Sequence, residues 1–274
     1  MTDELKKKVE QAIRLLQSVK VDGPIEVGYS GGKDSDVILE LARMANINIR
    51  PIYKNTTIDP PGTIKHVLDK GVEIVRPKMG FFDIVKKNGF PTMRARFCCK
   101  YLKEYKILDY AILGIRKSES VKRNARYNEP IVCRYYSSNV KSQQIYPILY
   151  WTNDDISEFI NEYHVKCHPL YYDSNGRFDV NKRLGCLACP LKSRQVDDFV
   201  ERPNLVKAWI RAGKVWWNSH PNANSHKKFA SIYDLFAHNV FFDSYWKFIE
   251  WKHNLFDTVD CKKFLEDYFK IDLP

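Results

Sequence analysis

A short glycine turn between an apolar segment and a helical pattern constrains the fold of this chain more than any other feature. Residues 25–29 (Ile-Glu-Val-Gly-Tyr) predict a short strand, and Ser30-Gly31-Gly32-Lys33-Asp34-Ser35 leads into apolar residues at helical spacing. Glycines let backbone N–H groups approach an anion, and the start of a helix adds partial positive charge. The sequence therefore predicts an anion-binding loop, with hydroxyl donors from its two serines and a mobile charge from its lysine.

Strand-like and helical segments alternate through the first half of the chain. Further strands are expected at 47–53, 72–75 and 108–114, with a helix at 63–70. This alternation predicts an α/β fold, namely a mostly parallel twisted sheet with helices on both faces.

From Trp151 onward the pattern becomes helical. Thr152 is the expected N-cap of a helix that ends near Tyr163. Residues 196–274 carry helical patterns dense in aromatic side chains, which we expect to pack as a helical C-terminal region on the core. The tryptophans that support this expectation are Trp209, Trp216, Trp217, Trp246 and Trp251.

Composition narrows the class of protein. The chain has 274 residues, of which 28% are charged and 44% hydrophobic, as in ordinary globular proteins. Its apolar runs are shorter than the roughly 20 residues of a membrane helix, and no apolar segment follows the first charged residues, so we expect a cytoplasmic protein with no membrane partner. In that compartment seven cysteines favour metal binding or catalysis over disulfides. The net charge of +11 favours a polyanionic partner.

Four cysteines form two pairs that are far apart in the chain, Cys98-Cys99 and Cys186-Leu187-Ala188-Cys189. Four thiolates suit tetrahedral zinc or a cubane iron–sulfur cluster. An adjacent pair is awkward for a small zinc site because successive side chains diverge. The other three, Cys133, Cys167 and Cys261, are expected to be buried structural residues.

The phosphate loop resembles that of the PP-loop ATP pyrophosphatases, specifically the phosphoadenosine phosphosulfate reductase family. Gly114-Ile115-Arg116-Lys117-Ser118-Glu119-Ser120, followed by Arg123, is similar to that family's Gly-x-Arg-x-x-Glu-Ser-x-x-Arg pattern. Asn55-Thr56-Thr57 stands where the family usually has Asp-Thr-Gly and keeps only the central residue. The resemblance implies an adenine nucleotide alpha-hydrolase-like fold that cleaves ATP between its α and β phosphates. It assigns ATP binding to Ser30, Gly31, Gly32, Lys33, Asp34, Ser35, Thr56, Gly114, Arg116 and Arg123.

The surroundings of the cysteines resemble the cluster motif of assimilatory adenylylsulfate reductases. Arg96-Phe97-Cys98-Cys99-Lys100 is similar to its first half, and Gly185-Cys186-x-x-Cys189-Pro190 to its second. The resemblance spans roughly residues 24–192 and implies a [4Fe-4S] cluster held by Cys98, Cys99, Cys186 and Cys189. We therefore divide the chain into a nucleotide-binding and iron–sulfur domain, 1–192, and the helical region, 193–274.

The end of the chain bears on the reaction. Reductases of this family attack with a cysteine in a C-terminal Glu-Cys-Gly-Leu-His motif, whereas this chain has Asp260-Cys261-Lys262-Lys263 at the start of an amphipathic pattern. We therefore favour a resemblance to the ATP pyrophosphatases of DNA phosphorothioation systems. There, Lys33 and Arg116 would stabilise charge on the α phosphate while Mg²⁺ bridges the phosphates.

In this hypothesis the enzyme adenylylates a nucleic acid, DNA being favoured, and a cysteine desulfurase supplies the sulfur. A homodimer is a possible assembly. Two alternatives remain open. The first is a reductase that releases sulfite from adenylylsulfate or phosphoadenylylsulfate, and the second is a non-enzymatic nucleotide or nucleic-acid sensor.

Overall fold

Strands and helices alternate up to residue 145, and the described residues after it form helices without further strands of the sheet. The computed structural model describes residues 1–105, 108–137, 140–192, 194–241 and 260–274. These residues form the helices α1 (Asp3–Ser18), α2 (Lys33–Met44), α3 (Thr63–Asp69), α4 (Phe81–Asn88), α5 (Phe97–Leu102), α6 (Val121–Arg126), α7 (Asn153–Glu162), α8 (Gln195–Glu201), α9 (Pro203–Ser219), α10 (Ile232–Val240) and α11 (Cys261–Phe269). The strands are β1 (Ile25–Tyr29), β2 (Ile49–Lys54), β3 (Glu73–Val75), β4 (Tyr110–Leu113), β5 (Ile131–Ser137) and β6 (Val140–Ile145). Within these ranges, no helix has both the length and the apolar character needed to cross a membrane.

The strands form one six-stranded sheet in the order β3-β2-β1-β4-β6-β5. The central strand β1 runs parallel to both of its neighbours, with Val27 opposite Pro51 of β2 and Ile112 of β4. The mostly parallel α/β sheet and the helical C-terminal region are thus confirmed. The hairpin of β5 and β6, which is antiparallel, was not anticipated from the sequence. Parallel neighbours end at the same sheet edge, so the loops that follow β1 and β4 lie side by side there.

A first compact unit comprises residues 1–55, 59–76 and 104–185 and contains the whole sheet. Its core is apolar, with Val27, Val37 and Ile112 fully buried. The helices α1, α2 and α7 contact one another. The predicted cap of α7 is confirmed, because the Thr152 hydroxyl accepts the Asp155 N–H while the Asp155 carboxylate accepts the Thr152 N–H. This reciprocal capping fixes where α7 begins.

A second compact unit comprises residues 56–58, 77–103 and 186–274. Its core is aromatic: Trp209 is 1% exposed and packs against Phe81, Phe90 and Phe199 with ring centroids 5.2 to 5.7 Å apart. Burying such a side chain contributes roughly 1.5–3 kcal/mol. Trp216 and Trp217 pack partly buried against this core, whereas Trp246 and Trp251 lie outside the described residues.

In this second unit the helical C-terminal region is grouped with residues 56–58 and 77–103. The domain boundary between residues 192 and 193 stays a prediction.

Candidate active site

The phosphate loop connects β1 to α2 as the sequence predicted. Gly31 has φ +78°, a conformation that glycine adopts readily and other residues adopt at a cost. A Cβ atom at this position would also lie 3.2 Å from Leu184 and 3.3 Å from Thr63. Gly32 is the N-cap of α2, so the first turn of the helix begins directly at the loop. The loop therefore needs its glycine at position 31 for both backbone shape and space.

Hydroxyl groups hold this turn closed. The Ser35 hydroxyl donates to the Gly32 carbonyl at 2.6 Å, and the Ser30 hydroxyl lies 3.3 Å from that of Ser35. The Gly32 N–H in turn points to the Ser30 oxygen at 3.4 Å. These bonds fix the loop, so that its serines shape the anion site as well as line it.

Lys33 is the buried cation of the loop, with 4% of its surface exposed. Its Nζ atom lies 3.5 Å from Asp34 Oδ2 and 3.5 Å from the Lys182 carbonyl oxygen. Burial lowers the pKa of the Lys33 ammonium; the Asp34 carboxylate opposes this effect and the Arg116 charge adds to it. A phosphate beside Lys33 would restore its preference for the charged form.

Gly114 and Arg116 bring the end of β4 against the start of α2. A Cβ atom at Gly114 would lie 2.9 Å from the Asp34 carbonyl oxygen, so only glycine fits this approach. Arg116 is 1% exposed, and its Nε–H donates to Asp34 Oδ1 at 2.7 Å. Its other nitrogens donate to Ser118 Oγ at 2.9 Å and to Asn153 Oδ1 at 3.0 Å. The guanidinium that the sequence singled out for catalysis is thus directed to acceptors of the protein itself.

Two other arginines line the cavity at the loop. Arg123, which the sequence predicted, forms an ion pair with Glu119, and Arg183 donates to the same carboxylate at 2.9 Å. Burial lowers the pKa of Arg123, and the neighbouring charge of Arg183 lowers it further. Arg183 comes from a distant segment that carries no phosphate motif, so no local pattern in the sequence assigned it to the phosphate site.

Tyr171 completes the cavity wall. Its hydroxyl oxygen accepts the Leu184 N–H at 3.2 Å and also a hydrogen bond from the backbone of Lys33. Burial raises the pKa of the Tyr171 phenol to about 12, so this group keeps its proton at neutral pH. A neutral phenol whose oxygen is held by two N–H groups can donate its own O–H to an anion.

Together these groups enclose a polar cavity of about 180 Å³, lined by Ser30, Gly32, Lys33, Arg123, Tyr171 and Arg183 among others. This volume is below the roughly 300 Å³ at which pockets for whole small molecules begin. The cavity is therefore suited to a phosphate chain more than to a complete nucleotide. Arg116 is not among its lining residues.

The loop after β2 continues into the second unit. Thr57 has φ +60° at the position where the family pattern has glycine, so this loop keeps a glycine-like backbone without the glycine. Its hydroxyl accepts the Phe81 N–H at 2.7 Å, which offsets part of the strain. Thr56 is buried, and its hydroxyl oxygen lies 3.5 Å from Cys186 Sγ. Thr56 thus contacts one of the predicted metal ligands, and its predicted role in nucleotide binding stays a prediction.

All four predicted ligand cysteines belong to the second unit, where they are partly buried. The pKa of the Cys98 thiol is raised, first by its hydrogen bond with Cys99 and then by burial. The charges of Cys189 and Cys186 raise this pKa further. The fold thus brings the two distant cysteine pairs within electrostatic reach of one another.

The arrangement of these four thiols bears on the kind of metal centre that they could hold. In the part of the chain that the structure describes, no group of three or more His, Cys, Asp or Glu side chains is arranged to hold a metal ion. A cubane cluster carries its four irons at separate corners, each with one thiolate, so its ligands stand further apart than those of one ion. By its chemistry, a donor set of four thiols fits either such a cluster or a zinc ion.

The loop that carries Cys186 and Cys189 is anchored to α8. Asp198 Oδ2 accepts both the Ala188 N–H and the Lys192 ammonium at 2.6 Å. Gln195 donates to the Ala188 carbonyl at 2.8 Å, and Ala188 itself is fully buried with φ +50°. These bonds hold the two cysteines at fixed positions on either side of Ala188.

The remaining three cysteines differ from one another. Cys167 and Cys261 are buried, as expected, and burial raises the pKa of the Cys167 thiol. Cys133 is exposed on β5, which contradicts the expectation, because β5 is the outermost strand of the sheet. Cys261 begins α11 and lies 3.6 Å from Asp234 Oδ1, with Leu265 and Phe269 buried on the same helical face.

A mostly parallel sheet with a glycine-bounded loop at its carboxyl edge defines an α/β protein of the PP-loop type. Residues 24–192 match the phosphoadenosine phosphosulfate reductase domain, and the chain belongs to that family.

The similar proteins are remote. An uncharacterised protein of Methanocaldococcus jannaschii is 31% identical over 204 residues, which cover 68% of this chain and 46% of the relative. The chain thus spans about half the length of such curated relatives. Among solved structures, the phosphoadenylyl-sulfate reductase of Candida auris is similar to this chain with a TM-score of 0.47 at 19% identity, covering 69% of this chain and 97% of that one. The U34-tRNA thiolase NcsA of Methanococcus maripaludis, with its [4Fe-4S] cluster, is similar to this chain with a TM-score of 0.42 at 17% sequence identity, covering 80% of each chain. At this distance neither structure informs the chemistry of this chain.

Proposed function

We propose that the chain is an ATP pyrophosphatase that adenylylates a nucleic-acid acceptor, with DNA favoured, so that sulfur can be incorporated. The observation that carries the proposal is the polar cavity at residues 30–35, which Lys33, Arg123 and Arg183 line with positive charge. Its volume of about 180 Å³ suits the pyrophosphate portion of ATP. Membership of the phosphoadenosine phosphosulfate reductase family supports an adenine nucleotide as the ligand.

The proposed first step is transfer of the adenylyl group. An oxygen of the acceptor attacks the α phosphorus, and the bond from that phosphorus to the α–β bridging oxygen breaks. Pyrophosphate leaves with the electron pair, and any proton on the attacking oxygen passes to solvent. Lys33, Arg123 and the Tyr171 hydroxyl stabilise the charge that develops on the departing phosphates. Mg²⁺ enters with ATP as its counter-ion.

In this proposal Arg116 acts as a positioning residue. Its bond to Asp34 Oδ1 and its bond to Asn153 hold the first turn of α2 in place. The catalytic role that the sequence predicted for Arg116 would then be exerted through the geometry of the loop.

The second step replaces the adenylyl group with sulfur. A persulfide, supplied by a cysteine desulfurase, attacks the activated atom of the acceptor through its terminal sulfur. The bond from that atom to the AMP oxygen breaks and AMP leaves with the electron pair. The thiolate of a second thiol then attacks the desulfurase sulfur and forms a new disulfide with it. The sulfur–sulfur bond to the product breaks, and the product sulfur leaves with the electron pair.

Cys98, Cys99, Cys186 and Cys189 would hold the [4Fe-4S] cluster, and the bonds from Asp198 to the 186–192 loop would keep two of these ligands in place. When bound, such a cluster supplies an iron site that can hold sulfur or a relay for electrons. The net charge of +11 supports the nucleic-acid acceptor.

A reductase that releases sulfite is the second candidate, and family membership supports it as well. That reaction needs a cysteine nucleophile that can reach the substrate. Cys261 is 5% exposed and sits beside the buried Asp234, a setting that disfavours an attacking thiolate. This observation is our reason for preferring sulfur transfer.

The two candidates predict different products. Protein purified without oxygen is incubated with labelled ATP, single-stranded DNA and a cysteine desulfurase, and in parallel with adenylylsulfate and a dithiol. We expect pyrophosphate from the first mixture and no sulfite from the second. Sulfite release that Cys261→Ser abolishes would refute the proposal in favour of the reductase. ATP binding without pyrophosphate release would favour a sensor.

A further inference from the structure

The second unit contains a cavity of about 660 Å³ that the phosphate site does not use. This volume lies well inside the range of about 300–1,000 Å³ that small-molecule sites occupy. Its wall combines cations with aromatic and apolar side chains, including Arg94, Lys192, Arg194, Phe241 and Tyr268. Cations beside aromatic rings form the combination by which proteins hold single-stranded nucleic acid.

The charge of this cavity is positive and partly uncompensated. Among the described residues of its wall, Asp197 is the one acidic residue, and it pairs with Arg194 at 2.9 Å. Lys192 pairs with Asp198 at 2.6 Å. Arg94 is exposed, and no ion pair or hydrogen bond joins its side chain to another described residue. A phosphate group could therefore bind Arg94 without displacing a partner from it.

The aromatic wall is held in position. Tyr268 is 45% exposed, and its ring packs nearly perpendicular to that of Phe241, with centroids 5.0 Å apart. A second contact, to Phe264, supports the same ring at 5.9 Å. A supported and exposed ring offers a face on which a base can stack without the cost of ordering a mobile side chain.

The rim of the cavity is built from the segments that carry the predicted cluster ligands. Pro190 and Lys192 follow Cys189, and the Lys192 N–H donates to the Cys189 carbonyl at 2.9 Å. On the other side, Thr92 and Arg94 come shortly before Cys98 in the chain. A ligand held at this rim would therefore contact the same chain segments that carry the four predicted ligand cysteines.

We propose that this cavity binds an unpaired nucleotide of a single-stranded nucleic acid, with its base stacked on Tyr268 and a flanking phosphate on Arg94. The inference rests on the proposed function, for which it supplies the acceptor site. A base inside a duplex is stacked and paired, so it cannot enter the cavity unless it is extruded. The site is therefore selective for single strands.

The test measures binding of a fluorescently labelled DNA oligonucleotide to the full chain by anisotropy. Tyr268→Ala is expected to weaken single-strand binding by about fivefold or more. Arg94→Gln is expected to weaken binding and also to reduce the slope of log affinity against log salt concentration by about one. The matched controls are Tyr135→Ala, an exposed tyrosine of β5, and Arg211→Gln, an exposed arginine of α9 outside the cavity. Both controls should bind as the unmodified chain does.

Equal losses in the variants and their controls would overturn the inference, as would binding of duplex as tightly as single strand. So would capture of a free mononucleotide with no gain from a longer strand. Pyrophosphate release from ATP is scored separately on the same preparations. Selective loss in Tyr268→Ala and Arg94→Gln, without any ATP cleavage, would support the cavity but refute the proposed function. ATP cleavage together with unaffected DNA binding in both variants would support the proposed function but refute the cavity as the nucleotide site.

Discussion

Arg116 donates a hydrogen bond to Asp34 at 2.7 Å, so a buried guanidinium neutralises the carboxylate in the first turn of α2. The basic groups around the phosphate loop therefore have two different roles. Arg116 supports the loop from within, whereas Arg123 and Arg183 line the cavity itself. The two roles predict different consequences of substitution.

Removing Arg116 should destabilise the protein. Arg116→Ala removes the shorter of the two ion pairs of Asp34, whose remaining partner is Lys33 at 3.5 Å. It also removes the hydrogen bonds to Ser118 and Asn153, so we expect the free energy of unfolding to fall by about 3 kcal/mol. Denaturant unfolding of the full chain measures the loss. Arg50→Ala breaks the exposed pair of Arg50 with Glu73 and should change stability little, because solvent screens that pair. Equal effects of the two substitutions would contradict the supporting role of Arg116.

Nucleotide affinity should depend on the protonation of Lys33. Because burial holds the pKa of Lys33 below the ordinary 10.5, its ammonium is lost at a lower pH than that of an exposed lysine. Binding of ATP should therefore weaken as pH rises through this lowered pKa. Isothermal titration across pH measures the effect. Lys33→Arg keeps its charge throughout and should flatten the profile. An unchanged profile in Lys33→Arg would assign the titration to another group.

Arg183 should contribute directly to phosphate binding. Arg183→Gln removes a cation from the cavity and is expected to weaken pyrophosphate binding by about tenfold. The comparison is Arg126→Gln, which makes the same change of charge in the last turn of α6, outside the cavity. Similar losses in both variants would mean that general charge, and not contact, governs affinity.

Tyr171 should act as a hydrogen-bond donor to phosphate. Tyr171→Phe keeps the ring but removes the hydroxyl, so pyrophosphate binding should fall by about tenfold, as expected for a lost bond to a charged group. Because burial raises the pKa of this phenol to about 12, the effect should be constant across neutral pH. Undiminished binding by Tyr171→Phe would show that the hydroxyl serves only to hold the backbone of Lys33 and Leu184.

Local patterns in the sequence predicted the parts of the site that a few consecutive residues determine. The loop at residues 30–35 and the N-cap at Thr152 belong to this group, because glycine conformation and capping depend on near neighbours. The inward orientation of Arg116 depends on Asn153, which is remote in sequence. Arg183 and Tyr171 likewise reach the cavity from segments without a phosphate motif. The exposure of Cys133 depends on the position of β5 at the sheet edge, which periodicity does not reveal.

The products of ATP cleavage test the central claim most directly. Phosphorus NMR of ATP incubated with the anaerobically purified chain, single-stranded DNA and a persulfide donor distinguishes the two bonds that can break. We predict AMP and pyrophosphate, and loss of both in Lys33→Ala. ADP and orthophosphate would contradict the account, because the cavity would then direct cleavage to the terminal phosphate.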